Sequence, residues 1–298
     1  MDVLAVADER AGVRNQAQGL AEALAAEVGG AARLLVVSSG DAKRFAPLME
    51  RLPNVAVGCG RSAMAELVAL RKRGVRTVYV QDPRRGYDRF DLVVAPEHDG
   101  IRAPNAIAMV GGPHRVNADA LAAAKTEWTE LAALPSPRVA VMIGGKSKRH
   151  DFDAGSLAAQ MKAFAEVLAM GGSLMVSVSR RTPESLVVGL RKLSGKHPDR
   201  VQLYAGDGAN PYLGYLAHAE AVMVTEDSSN MLVEACATGV PVFRLAMAGD
   251  AGKLGQLYAR LSELCAVGRW NGQSVGEPYA PLRETERVAK VVAERLGL

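Results

Sequence analysis

Three short polar clusters in the C-terminal half of the chain carry the residue types that hold phosphate. Each directly follows an apolar run. The first is Ile143-Gly144-Gly145-Lys146-Ser147-Lys148-Arg149-His150. Paired glycines let backbone N–H groups approach an anion, and Lys146 and Arg149 supply charge beside the Ser147 hydroxyl. The four-residue gap and Gly-Lys-Ser/Thr ending of a nucleotide triphosphate loop are missing. The second is Ser177-Val178-Ser179-Arg180-Arg181-Thr182-Pro183-Glu184, where Arg180 and Arg181 precede a helix start with Thr182 as N-cap and Pro183 in the first turn. The third is Thr225-Glu226-Asp227-Ser228-Ser229, after Ala221-Val222-Met223-Val224. Here Asp227, Ser228 and Ser229 open a helix that Gly239 ends before Pro241, and such a start suits a phosphate. A diphosphate ligand would use all three clusters.

Glu234 differs in kind. It lies about two turns into that helix, and a carboxylate there suits bidentate contact with ribose hydroxyls; otherwise it is a surface carboxylate. Asn210 and Tyr212, in Asp207-Gly208-Ala209-Asn210-Pro211-Tyr212, either shape a pocket for a base ring or build a turn. Asp151-Phe152-Asp153 follows the basic loop and reads as a helix cap, so no obligatory metal is expected.

Short Val/Ala/Leu-rich runs alternate with amphipathic stretches throughout, as a parallel sheet covered on both faces requires. In the first half the spacing predicts strands at Val3–Ala7, Leu34–Val37, Asn54–Val57, Thr77–Val80, Leu92–Ala95 and Ala106–Val110. Helices are expected over Asn15–Glu27, Asp41–Arg51, Ser62–Arg73 and Asn117–Leu131. Leu134-Pro135-Ser136-Pro137 reads as a linker, after which the pattern restarts with Arg138–Ile143. The fold class expected is α/β, with two Rossmann-like domains, residues 1–134 and 135–298, facing a central cleft; the last helix is free to pack back on the first domain.

Composition narrows the function. Of 298 residues, 49% are hydrophobic and 23% charged, as in a soluble globular protein. The net charge of +4 is small and interspersed, which argues against a nucleic-acid partner. Cys59, Cys236 and Cys265 are odd in number and far apart, which suggests a reducing compartment. The first residues read as a strand rather than a signal peptide, and no apolar run approaches a bilayer's thickness. A cytoplasmic location is expected, with peripheral association at the inner membrane surface as an option; the oligomeric state is left open.

Glu234-Ala235-Cys236-Ala237-Thr238-Gly239-Val240-Pro241-Val242 resembles the Glu-Ala-x-Ala-x-Gly-x-Pro-Val signature of GT-B glycosyltransferases. In those enzymes the glutamate holds the ribose of a sugar nucleotide. The Gly144-Gly145 loop is similar in placement to the glycine-rich loop of the peptidoglycan N-acetylglucosaminyltransferase. The whole chain, more narrowly, resembles the DUF1022 family, which comprises a plant mitochondrial fission factor named for elongated mitochondria and many bacterial relatives. The residues that carry this are Gln18–Leu24, Gly58-Cys59-Gly60-Arg61, Gln81-Asp82-Pro83-Arg84, Phe90–Asp99, Ile143-Gly144-Gly145, Ser179–Pro183, Asn210-Pro211-Tyr212 and Thr225–Ser228. Bacterial members are often labelled sugar-nucleotide epimerases. Against that label, no Gly-x-Gly-x-x-Gly follows the first strand and no Tyr-x-x-x-Lys supplies a short-chain epimerase base.

The resemblance implies a nucleotide-diphosphate sugar donor in the second domain, UDP or GDP type undetermined, and an acceptor at the first, such as a cell-envelope component. A histidine common in the first-strand loop of peptidoglycan-type enzymes is absent from Asp8–Gln16. Candidates for the base are then Asp82, Glu97 and His98 at strand ends, with Asn15 beside the first loop. The alternative is a non-catalytic scaffold or interaction protein at a membrane surface, as the plant relative implies.

Overall fold

The computed structural model describes residues 1–37 and 51–298. The helix expected over Asp41–Arg51 lies, apart from Arg51, outside the described residues. The chain divides into two compact units, residues 1–115 with 283–298, and residues 116–282.

In the first unit the described strands β1 (Asp2–Ala7), β2 (Ala31–Val36), β3 (Val55–Cys59), β4 (Arg76–Val80), β5 (Leu92–Pro96) and β6 (Ala106–Met109) form one parallel sheet. Their order is β2-β1-β3-β4-β5-β6. Helix α1 (Ala11–Glu27) packs its buried Ala17, Leu20, Ala21 and Leu24 on one face, and α2 (Arg61–Arg71) packs Ala63, Leu67 and Leu70 on the other. Strands covered on both faces have no polar side to show, which is why their sequences do not alternate. The last helix, α9 (Glu284–Leu296), belongs to this unit and buries Val288, Ala289 and Val292 beside α1. Its Glu284 accepts the Val110 N–H at 2.8 Å, and Thr285 accepts that of His114 at 3.1 Å.

The second unit begins with α3 (Ala118–Glu127). Its sheet contains β7 (Arg138–Ile143), β9 (Ser173–Val178), β10 (Val201–Tyr204), β11 (Ala221–Thr225), β12 (Val242–Leu245) and β14 (Gly268–Arg269). The order β10-β9-β7-β11-β12-β14 is that of a dinucleotide-binding sheet, with its reversal point between β7 and β11. Helices α4 (Ala154–Ala169), α5 (Glu184–Lys196), α6 (Tyr212–His218), α7 (Ser229–Cys236) and α8 (Leu254–Cys265) complete it. A separate antiparallel pair, β8 (His150–Asp151) with β13 (Ala248–Gly249), joins the loops after β7 and β12.

The expected boundary at Leu134 falls inside the second compact unit rather than between the two. Helix α3 packs on α6, with the Trp128 side chain filling the space that a Cβ on Gly214 would need. The segment expected as a linker is pinned as well: Ser136 bonds Glu220 at 2.6 Å, and Ser173 bonds the Pro135 carbonyl at 2.7 Å. Helix α1 starts at Ala11, four residues before the expected Asn15, because Asp8 ties down Arg10 immediately ahead of it.

Candidate functional site

In the second unit the three anion-friendly loops converge at the reversal point between β7 and β11, and a carboxylate of the chain itself already occupies it. Asp227 Oδ2 accepts the Gly145 N–H at 2.9 Å and the Arg181 guanidinium at 3.1 Å. Thr225 Oγ1 donates to Asp227 Oδ1 at 2.7 Å and accepts the Gly144 N–H at 2.7 Å. The Asp227 side chain has 0% exposure. A Cβ on Gly144 would lie 2.2 Å from Asp227 Oδ1, and one on Gly145 2.3 Å from the Arg181 Cβ. These glycines are therefore required by close packing of the chain on itself, and their N–H groups are spent internally.

This revises several expected roles. Asp227, expected to help hold phosphate, is the internal anion that closes the turn. Thr182 does not cap α5: its hydroxyl donates to the Gly144 carbonyl at 2.6 Å and accepts the Ser179 N–H at 3.0 Å, and Pro183 stands at the cap position. Ser147 accepts the N–H groups of Arg149 and His150, shaping the turn into β8. Lys146 pairs with Asp151 while remaining exposed. Asp153 caps α4 in a reciprocal box with Ser156. Among the described residues Arg180 makes no hydrogen bond or ion pair through its side chain and is exposed, as are Lys148 and Arg149 of the first cluster.

Glu234 is placed otherwise than a surface carboxylate would be. It sits in α7 with 6% exposure, and the Tyr212 hydroxyl donates to it at 2.5 Å. Burial raises its pKa to about 7, against which the tyrosine bond pulls downward; burial raises that of Tyr212 too. Ser228 caps α7 by accepting the Met231 N–H at 3.4 Å, and Ser229 is the first helical residue. Asn210 accepts the Tyr212 N–H at 3.1 Å and so fixes the start of α6 from which Tyr212 reaches Glu234. A buried carboxyl with a single hydroxyl partner retains acceptor capacity for two further hydroxyls, the demand a ribose makes.

One charged cluster escapes sequence reasoning. Glu226, 8% exposed, pairs with Arg244 at 3.0 Å and Arg269 at 3.3 Å, and Arg244 lies over the Tyr258 ring at 4.5 Å. The charged members come from β12, β14 and the loop after β11, so nothing in the spacing announces the cluster.

In the first unit the candidates lie on three different elements. Asp82 follows β4, where its Oδ1 accepts the Arg84 N–H at 2.6 Å and the Tyr87 hydroxyl at 2.7 Å; no partner holds Oδ2. Glu97 and His98 form a single helical turn after β5. Arg287 of α9, whose pKa is raised chiefly by its bond to Glu284, feels the Glu97 carboxylate as a smaller contribution. Asn15 is half-buried within α1. Gln16, which the sequence did not single out, joins two strand ends: it accepts the Cys59 thiol at 3.2 Å and the Gln81 amide at 3.0 Å. Burial pushes the Cys59 thiol upward, so it is no nucleophile. Among the described residues no group of three His, Cys, Asp or Glu side chains gathers to hold a metal, and no helix is long and apolar enough to cross a membrane.

The family model described as mitochondrial fission ELM1 matches residues 11–296. The chain belongs to this family. It is 29% identical over 307 residues to the mitochondrial fission protein ELM1 of Arabidopsis thaliana, covering 91% of this chain and 71% of that protein. Among solved structures it is similar to the UDP-GlcNAc 2-epimerase of Methanocaldococcus jannaschii, with a TM-score of 0.61 at 14% identity over 99% of this chain and 100% of that one. The UDP-GlcNAc 2-epimerase of Neisseria meningitidis bound to UDP-GlcNAc gives a TM-score of 0.56 at 11% identity, covering 99% of each chain. These likenesses establish the GT-B-like fold of this ELM1-family chain. They also correct one inference: epimerases exist on this architecture, so the missing short-chain motifs exclude only the short-chain construction.

Proposed function

We propose that this chain binds a nucleotide-diphosphate sugar in its second unit and transfers the sugar to an acceptor at the first. The observation that carries the reading is Glu234, a carboxyl buried to 6% exposure with one hydroxyl partner and a pKa raised to about 7. An arrangement so costly to the fold is explained by a ligand that supplies hydroxyl donors. In this reading Glu234 takes the ribose, Tyr212 orients it, and Arg180 with the Ser228–Ser229 helix start receives diphosphate charge. The Gly144–Gly145 turn and Arg181 hold the loops in place around Asp227, and Lys146 and Ser147 shape the rim. That the neighbouring M. jannaschii enzyme has been seen in complex with UDP-GlcNAc and UDP supports this class of donor.

For the transfer step, Asp82 is the base we favour over Glu97, His98 and Asn15. Two donors fix one carboxylate oxygen and leave the other open to an acceptor hydroxyl. Positive charge at the loops then stabilises the departing diphosphate.

A second reading, a nucleotide-sugar-binding scaffold without turnover, is favoured by the Arabidopsis relative, named for mitochondrial fission. Peripheral membrane association belongs to this reading. One experiment separates them. The protein is incubated with UDP-GlcNAc, alone and with membrane-extract acceptors, and the products are resolved. Acceptor-dependent UDP release supports transfer, a changed sugar without acceptor indicates epimerisation, and binding without turnover indicates the scaffold.

A further inference from the structure

The first unit's sheet also reverses direction, between β1 and β3 in the order β2-β1-β3-β4-β5-β6. Ligands of open parallel sheets bind outside the carboxyl ends of the strands at such a point. Three adjacent strand ends there carry five arginines: Arg10 and Arg14 after β1, Arg61 after β3, and Arg84 and Arg85 after β4. The first two loops touch, since a Cβ on Gly60 would lie 2.8 Å from Val13, 3.2 Å from Asp8 and 3.4 Å from the Arg10 guanidinium.

Among the described residues the charges on these strand ends do not cancel. Arg10 pairs with Asp8 at 2.6 Å, yet remains 67% exposed. Among the described residues Arg14, Arg61, Arg84 and Arg85 take part in no ion pair, and the last three are exposed. Among the described residues the carboxylates carried by the same loops are Asp8, Glu9 and Asp82. Asp8 is spent on Arg10, and one oxygen of Asp82 on the loop itself. At the opposite edge of the sheet, by contrast, Arg33 is matched to Asp2 at 3.0 Å.

Position makes the arginines costly. Helices α1 and α2 both begin without an acidic residue in the first turn and without a side-chain cap, and Arg10, Arg14 and Arg61 stand at those starts. Cations at a helix N-terminus oppose the macrodipole, a cost a bound anion reverses. Guanidinium groups also match phosphate oxygens in paired hydrogen bonds.

We propose that this edge binds the diphosphate group of a second ligand, distinct from the sugar donor. The proposal rests on the preceding reading only in calling that ligand the acceptor, which is then an anionic, diphosphate-bearing molecule. The diphosphate could be inorganic or carried on an apolar chain, and the recognition chemistry is the same.

The test titrates full-length protein with inorganic pyrophosphate and with geranyl diphosphate by calorimetry at about 0.15 M salt, where long-range attraction is screened. The double variant Arg61→Ala/Arg85→Ala is expected to weaken geranyl diphosphate by about tenfold or more, a loss of about 1.4 kcal/mol. Arg76→Ala, at the opposite edge, should leave it within about twofold, well under the tenfold step, and Arg180→Ala is titrated beside it to register any binding at the donor loops. Tighter binding of geranyl diphosphate than of pyrophosphate assigns an apolar chain to the acceptor; equal binding assigns recognition to the head group. Failure of both probes to bind, or binding that follows Arg180 and ignores Arg61 and Arg85, overturns the proposal. UDP-GlcNAc is titrated in parallel against Glu234→Gln, so loss of the donor reading and loss of this one register separately.

Discussion

The Asp227 carboxylate meets the Gly145 N–H at 2.9 Å, at the reversal point of the second unit's sheet where a bound anion would otherwise lie. Three loops after three strands are thereby tied to one side chain. Asp227→Ala should leave the Gly145 N–H and the Thr225 hydroxyl without their partner and cost about 2–4 kcal/mol, read as a fall in the denaturation midpoint. Arg181→Ala, removing a guanidinium that is 55% exposed, should cost under about 1 kcal/mol. Gly144→Ala and Gly145→Ala should both be more damaging than the arginine change, since one Cβ would meet the buried Asp227 carboxylate and the other the Arg181 backbone.

Glu234 gives the protein a pH signature of unusual sign. Its pKa is about 7 in the fold against 4.5 for an ordinary glutamate, so between those values the folded state keeps a proton that the unfolded chain has lost. Stability should therefore be fullest below about pH 4.5 as far as this group is concerned, and fall by about 3 kcal/mol as pH rises to 7. Glu234→Gln should flatten that part of the stability profile, measured by urea melts at several pH values.

Donor binding should show the opposite trend. Ribose hydroxyls donate to a carboxylate, so the affinity for UDP-GlcNAc should rise as pH increases toward 7 and level off above it. Tyr212→Phe removes the one donor that opposes the burial effect, which should shift this rise to higher pH and cost about 1–2 kcal/mol of stability. Calorimetric titration across pH reads both.

Asp82→Asn separates a base from a turn former. Asparagine Oδ1 can still accept from the Arg84 N–H and the Tyr87 hydroxyl, so the melting point should hold. Transfer should fall by a factor of about a hundred or more, as loss of a general base requires. Unchanged turnover would reassign Asp82 to the loop alone.

Much of the architecture was legible because buried parallel strands announce themselves as apolar runs. Arg138–Ile143 is legible to the residue, since it is a hydrophobic run that ends at two glycines. The short pair of His150–Asp151 with Ala248–Gly249 was invisible, because two residues carry no periodicity. The sequence names the candidate side chains by type but not their partners. That Asp227 faces inward to Gly145, and that Tyr212 reaches Glu234 across 22 positions, depends on how separate loops meet in space. The same holds for Glu226 with Arg269 and for Gln16 with Cys59. Local sequence specifies a loop's chemistry, and tertiary packing decides whether that chemistry is spent internally or left for a ligand.

The central claim is that Glu234 holds the sugar of a nucleotide. Calorimetric titration of UDP-GlcNAc and of GDP, CDP and TDP sugars at pH 8, with wild-type protein and Glu234→Ala, tests it most directly. The account predicts that at least one sugar nucleotide binds, and that the variant binds it about 10–100-fold more weakly, the worth of a hydrogen bond to a charged group. Equal affinity in the two proteins, or no binding of any of the four to wild type, would contradict it.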